Sequence, residues 1–185
     1  MKTLKDFIKE SQEINESLLG DIIRKLLDTG LSWISGSVKW IANKSADAVS
    51  DIWKTHRDVL TNTYSEFRRS HPQYKFLPEA IKTPEEYGAI NVAIYFDDSI
   101  PADNKIEKAN NIIRKFKNNK GNPDSINKLI VSEATDCYLG IISNPKATES
   151  DKTKAKKFLK NVKASIDDDT ASLLDSNIKH YISEM

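Results

Sequence analysis

Few side chains in this 185-residue chain could do chemistry, and they are not spaced as a catalytic site requires. Cys137 is the only cysteine, which excludes an internal disulfide and a cysteine-based zinc cage. It falls on an apolar stripe, where a buried, inert thiol is expected. The histidines (His56, His71 and His180) are far apart and match no short metal-binding motif. With no phosphate loop, nucleophile elbow or zinc-protease motif, the sequence predicts a non-enzyme without metal or other cofactor.

Two short acidic runs are better explained by local structure than by catalysis. Asp97 and Asp98 stand at a predicted helix end shortly before Pro101, where a solvated turn is expected. The run 167–169 lies directly before a predicted helix, whose N-terminal dipole favours negative charge. It lacks the spaced ligands and the glycine of a calcium loop, so we interpret it as a helix cap.

Two lysine-rich segments, 105–120 and 146–163, stand out in a chain whose formal net charge is only +1. They could form a patch for a phosphate backbone. Lysine-rich helix faces are, however, usually solvated, and no aromatic residues alternate with these bases. Other protein subunits are therefore the favoured partners, and nucleic acid is the less favoured one. The candidate basic patch comprises Arg114, Lys115, Lys117, Lys156 and Lys157.

The elements that must position these residues are predicted to be helices throughout. No proline precedes His71, and apolar residues up to that point recur at three- and four-residue steps. We therefore predict an all-α protein with an extended N-terminal helical arm, one long amphipathic helix and a small C-terminal helical bundle. The arm spans 1–71, with a leader-like helix over 1–16, an amphipathic helix over 18–29 and the long helix over 37–68; a linker over 72–83 joins it to the bundle at 84–185.

The bundle contains several recognisable helix starts. Thr83, Pro84 and Glu86 provide an N-cap, a proline at the first helical position and an acid at the third. The segment 89–96 is rich enough in β-branched residues that helix and strand both remain open there. The arm has no span that could cross a bilayer, because charges interrupt its richest apolar stretch, 18–42.

Two tryptophans are candidates for docking a partner. Trp40 projects onto the charged side of the long helix, and Trp33 joins the apolar arc only if the preceding helix continues through Gly30. A tryptophan on a polar face often marks a partner surface. The alternative, that another helix of the same chain covers it, is equally compatible with the pattern.

The first ten residues, Met-Lys-Thr-Leu-Lys-Asp-Phe-Ile-Lys-Glu, resemble the leader of head proteins from T-even-like tailed phages. In that family the leader targets a protein to the prohead core, and a protease then cuts after Glu in a Leu/Ile-x-Glu pattern. The resemblance covers about residues 1–17. It implies targeting through the helix face formed by Leu4, Phe7 and Ile8, and processing after Glu10 or Glu16.

These observations together predict a non-enzymatic structural or internal component of a tailed-phage virion, associated with the head and acting through helix-mediated contacts. The expected location is the phage head or the host cytoplasm, since the charged N-terminus does not fit a classical secretion signal. Two alternatives remain at this point. One is a soluble helical adaptor that docks a partner through the long amphipathic helix, and the other is an injected effector that inhibits a host enzyme.

Overall fold

The computed structural model describes residues 38–72, 77, 79–118 and 121–184, and in these residues it contains seven helices and no strand. The prediction of an all-α protein is thus confirmed. None of the described helices is both long enough and apolar enough to cross a bilayer. The helices are α1 (Val38–Ser50), α2 (Trp53–Ser70), α3 (Pro84–Tyr95), α4 (Ala102–Lys117), α5 (Pro123–Ile142), α6 (Glu149–Lys163) and α7 (Asp168–Glu184).

The predicted helix starts of the bundle are present. The side chain of Thr83 accepts a hydrogen bond of 3.2 Å from the backbone N–H of Glu86, which caps α3. A capping box opens α6, where Thr148 and Asp151 each accept a hydrogen bond from the other's backbone N–H. The segment 89–96, for which the sequence left two possibilities, is helical up to the end of α3.

The prediction of one long helix over 37–68 is wrong in its continuity, because the chain turns at Asp51 and Ile52 between α1 and α2. Short polar side chains beside the break bond to the backbone. Ser50 Oγ donates to the carbonyl of Asp47 at 2.9 Å, and Thr55 Oγ1 donates to the carbonyl of Ile52 at 3.2 Å. Such local bonds compete with a continuous helix. The break lets α1 pack on α3 and α5 while α2 packs on α4.

The part of the predicted arm that the structure describes packs into the bundle instead of standing apart from it. One hydrophobic core runs from Val49 in α1 through Leu60 and Phe67 in α2 to Tyr181 in α7. At its centre lies α5, which contacts α1, α3, α4, α6 and α7. The helices α1 and α2 are therefore part of the bundle, since their apolar residues Val49, Leu60 and Phe67 are buried by the rest of this chain.

Candidate functional site

A carboxylate sits in the middle of the core and binds four donors. Glu133 of α5 is fully buried, and its Oε2 accepts hydrogen bonds from Tyr87 Oη at 2.7 Å and from Asn91 Nδ2 at 2.6 Å. Its Oε1 accepts from Tyr95 Oη at 2.6 Å and from Lys108 Nζ at 2.8 Å. All the lone-pair directions of the carboxylate are thus occupied. We call these five residues the Glu133 cluster.

Helical periodicity brings the Glu133 cluster together. Tyr87, Asn91 and Tyr95 are spaced by four residues, which places them on one stripe of α3 facing α5. Lys108 reaches in from α4, where it also donates to Asn91 Oδ1 at 2.8 Å and lies 4.2 Å from the centre of the Tyr95 ring. One side chain therefore links three helices through charge, hydrogen bonds and a cation–π contact.

The electrostatics of the Glu133 cluster favour a charged pair. Burial alone would raise the pKa of Glu133, but the Lys108 ammonium and the hydrogen bonds from Lys108 and both tyrosines hold that pKa below its ordinary value. Burial and the nearby Glu133 charge raise the pKa of Tyr87 and of Tyr95 well above the ordinary range. The carboxylate is consequently ionised and both phenols are neutral donors at neutral pH.

A second buried carboxyl lies one turn further along α5. Asp136 is fully buried and accepts a hydrogen bond from Ser45 Oγ of α1, while its Oδ1 has no hydrogen-bond partner. Burial raises the pKa of Asp136 to about 8, although the bond from Ser45 acts in the opposite direction. Because burial, and to a smaller extent the nearby Glu133 charge, raises this pKa, Asp136 is mostly protonated at neutral pH.

The same face of α5 ends in a close backbone contact. A Cβ placed on Gly140 would lie 2.1 Å from the carbonyl oxygen of Tyr95, so only glycine allows α3 and α5 to approach this closely. The carbonyl of Gly140 accepts a hydrogen bond of 3.1 Å from the buried Lys105 Nζ, and burial lowers the pKa of that lysine to about 8. Cys137, on the same stripe, is fully buried, and burial raises the pKa of its thiol, as expected for an inert residue.

This arrangement is typical of a polar network that holds helices together, because its groups are not available to a substrate. The five residues of the Glu133 cluster are satisfied by one another, and they are at most 5 % exposed. A cleft of about 450 Å³ between α2 and α4 reaches Lys108, but the Lys108 ammonium already donates to Glu133 and Asn91. A fully satisfied buried polar network rigidifies a core and specifies one packing.

The structure does not keep the whole candidate basic patch on one surface. Lys115 points toward α2, where its Nζ lies 3.2 Å from Glu66 Oε2. Arg114 and Lys117 lie on the other side of α4, and Lys117 Nζ donates to the carbonyl of Ser165 at 2.6 Å, just beyond α6. Lys156 and Lys157 are exposed on α6 itself. The basic segment 105–120 was expected to be solvated, and at Lys105 and Lys108 this expectation is wrong because both side chains are buried.

The acidic runs behave as local structure. Asp97 Oδ1 accepts hydrogen bonds from the backbone and hydroxyl of Ser99, and Asp98 forms an ion pair of 2.8 Å with Lys146. The run 167–169 caps α7, since Asp167 Oδ1 accepts from the backbone N–H of Thr170 at 2.8 Å.

The histidines lie in separate environments. His56 packs edge-on against Phe116, with ring centres 5.6 Å apart, and His71 stacks on Phe67 at 4.0 Å. His180 is exposed on α7. Within the described part of the chain, no three histidine, cysteine or acidic side chains are grouped as a metal site requires.

Several predicted site residues lie outside the described residues. These are Leu4, Phe7, Ile8, Glu10, Glu16 and Trp33, together with the predicted helices over 1–16 and 18–29. Trp40 belongs to α1, but its side chain is not among those described. The proposals for targeting, processing and docking through these residues therefore remain predictions.

The Glu133 cluster was not predicted from the sequence, although two signals point to it. Lys108 stands four residues before the buried Ile112 on α4, and Glu133 stands four residues before the buried Cys137 on α5. A charge at a stripe position indicates a buried, paired group. The four-residue spacing of polar residues along α3 is the second signal.

No protein-family model, curated protein or solved structure matches this chain significantly.

Proposed function

We propose that this chain is a non-enzymatic, head-associated component of a tailed-phage virion that acts through helix-mediated protein–protein contacts. The observation that carries the proposal is the N-terminal sequence. Residues 1–10 resemble a capsid-targeting leader, and Ile-x-Glu triplets end at Glu10 and at Glu16. In this proposal the leader brings the protein into the prohead and the helical bundle is the body that is delivered.

The described core is compatible with removal of such a leader. Its first buried residue is Ser45 in α1, and the core cluster itself begins at Val49. Cleavage after Glu10 or after Glu16 would remove none of the described core residues. A processed protein would therefore keep every described packing contact of the bundle.

The Glu133 cluster supports a structural role for the bundle. Its carboxylate, ammonium and phenol groups could serve as acids or bases if they faced a substrate. In this chain they bind one another inside the core, with Glu133 fully buried and Lys108 5 % exposed. We infer that these groups hold α3, α4 and α5 in one packing.

An adaptor that docks a partner through one long helix is less well supported by the structure than by the sequence pattern. That alternative required an apolar arc available to a second protein. The arc is instead divided between α1 and α2, and Val49, Ile52 and Leu60 are buried by this chain's own helices.

The proposal is tested by the intact mass of the protein in purified particles of the phage that encodes it, compared with the protein expressed alone. We expect a particle-bound form that lacks residues 1–10 or 1–16. Replacing both Glu10 and Glu16 with Gln should leave the particle-bound protein uncut, because the protease pattern requires glutamate.

Glu13 provides a matched control, since it lies between the two sites but follows Ser11 and Gln12 rather than an Ile-x pair. Glu13→Gln should be processed like the natural chain. Absence of the protein from the particles would overturn the virion role. An uncut form present in stoichiometric amounts would retain the virion role and refute the processing sites.

A further inference from the structure

A positively charged surface of the described bundle forms where two separate basic segments of the sequence lie side by side. Contacts at both ends fix α4 and α6 as parallel neighbours. Near their starts Lys154 Nζ lies 2.7 Å from Asp103 Oδ2, and near their ends Lys117 Nζ lies 2.6 Å from the carbonyl of Ser165. The exposed sides of both helices therefore form one continuous face.

This face carries unbalanced positive charge. The sequence has no acidic residue over 108–118 or over 152–166, so Glu107 is the one acid between Asp103 and the end of α4. Helical periodicity directs the exposed cations of α6 away from its buried stripe, which contains Ala155, Phe158 and Val162. We call the surface formed by the following residues the α4–α6 basic face: Arg114, Lys117, Lys157 and Lys160.

The cations of this face are available to a ligand. Lys157 and Lys160 form no ion pair or hydrogen bond within the described part of the chain, and Arg114 bonds only to the neutral side chain of Asn111, at 2.9 Å. Beside Arg114 and Lys117 lies a shallow depression of about 320 Å³. Lysines that are neutralised elsewhere on the molecule lie outside this set; Lys163, for example, is paired with Asp175.

We propose that the α4–α6 basic face binds the phosphate backbone of double-stranded DNA without sequence specificity. Duplex DNA carries one negative charge per about 1.7 Å of its axis. It therefore matches a surface that presents cations without exposed aromatic or large apolar side chains. This inference goes beyond the proposed function and does not depend on it, because it rests on residues 103–165 alone.

Other polyanionic partners fit the face less well. Single-stranded nucleic acid is bound by stacking on exposed aromatic rings, whereas Phe116 and Phe158, the aromatic residues of α4 and α6, are buried. A helix that lies on a membrane inserts apolar side chains beside its charges, and a stable interface with an acidic protein has an apolar centre. In the described residues the exposed large apolar side chains are Leu173 and Ile182, both on α7.

The test is fluorescence anisotropy of the full chain with a labelled duplex of about 30 base pairs, at salt concentrations from about 50 to about 200 mM. The natural chain should bind and lose affinity steeply with salt. The variant with Arg114, Lys117, Lys157 and Lys160 all replaced by Gln should bind at least tenfold more weakly. The slope of log affinity against log salt should fall in magnitude by about 3.6, since each of the four lost phosphate contacts contributes about 0.9.

A charge-matched control separates a defined face from net charge. In it four exposed cations of α1, α2 and α5 are replaced by Gln, namely Lys44, Lys54, Arg57 and Lys128. Circular dichroism should show that both variants remain helical. An equal loss of affinity in the two variants would overturn the proposal, as would an absence of duplex binding at low salt. Binding to vesicles containing phosphatidylserine in place of the duplex would also overturn it, in favour of a lipid surface.

Discussion

Lys108 Nζ lies 2.8 Å from Glu133 Oε1 in a part of the core where the two side chains are 3 % and 0 % exposed. Desolvating both charges is costly, so this pair is not in itself a gain in stability over apolar residues of the same size. The pair matters for stability mainly when one of its partners is removed. Removing one partner leaves the other charged and unpaired among Tyr87, Asn91 and Tyr95, whereas the complete cluster satisfies every member.

Glu133→Gln should therefore lower the free energy of unfolding by about 3–5 kcal/mol, because it leaves the Lys108 ammonium without its counter-charge. Urea denaturation followed by circular dichroism measures this change. Glu66→Gln is the matched control, since it breaks the exposed ion pair with Lys115 and should cost less than about 1 kcal/mol. Equal losses in the two variants would contradict a coupled, buried cluster.

A double-mutant cycle tests the coupling directly. If Lys108→Met is combined with Glu133→Gln, the loss should be clearly smaller than the sum of the two single losses, because the second change removes the charge that the first left unpaired. Strict additivity would show that the two side chains act independently.

Asp136 gives the protein a pH dependence opposite to that of an ordinary ion-paired acid. Its pKa is about 8 when folded and 3.8 as the reference value, so the unfolded chain releases this proton first as pH rises. The contribution of this carboxyl to the free energy of unfolding is fully present below about pH 4. It decreases by about 1.4 kcal/mol per pH unit and is lost by about pH 8. Asp136→Asn has no such proton to release. The free energy of unfolding of this variant, relative to that of the natural chain, should therefore increase steadily from about pH 4 to about pH 8.

Melting curves of both proteins at several pH values between about 5 and 8 measure this difference. Ser45→Ala is the control, because it removes the hydrogen bond to Asp136 and leaves the titrating carboxyl in place. It should lower stability while retaining the dependence on pH. A constant difference between Asp136→Asn and the natural chain would mean that Asp136 is ionised in the folded protein.

The sequence was sufficient to predict the helices that begin with a strong local signal. Thr83 caps α3 as predicted, and Thr148 caps α6 in the same way, because a cap depends on residues three positions apart. The break at Asp51 could not be predicted in the same way. The apolar stripe continues with helical period through Ile52. The break is favoured by the local bonds of Ser50 and Thr55 together with the packing of α1 and α2 on different helices.

The sequence pattern also could not predict which charged residues are buried, namely Lys105, Lys108 and Glu133. A count of charges treats Lys105 and Lys108 as part of a solvated basic segment. Whether these side chains are buried depends instead on an acid or a carbonyl, distant in sequence, that accepts their hydrogen bonds. Glu133 lies 25 residues after Lys108, on another helix. Only tertiary packing decides which lysines of the segment are neutralised inside and which reach the α4–α6 basic face.

Gly140→Ala should destabilise the protein even though alanine is the better helix former. The gain in helix propensity is about 1 kcal/mol. The added Cβ would meet the carbonyl oxygen of Tyr95 at 2.1 Å, so α3 and α5 must move apart at a cost that exceeds this gain. Thermal melting should show a clear decrease. Gly121→Ala, where the nearest atoms are side-chain ends of His56 and Ile126 at 3.0 and 3.1 Å, should cost less.

Cys137 reports on opening of the core, because it is fully buried and burial raises the pKa of its thiol. A thiolate is the reactive form, so Ellman's reagent should label the folded protein very slowly and the protein in urea at once. The exposed position 176 supplies a control. In Ser176→Cys one thiol per chain should react immediately and the second only on unfolding. Rapid labelling of Cys137 in the folded natural chain would contradict the closed packing of α5 against its neighbours.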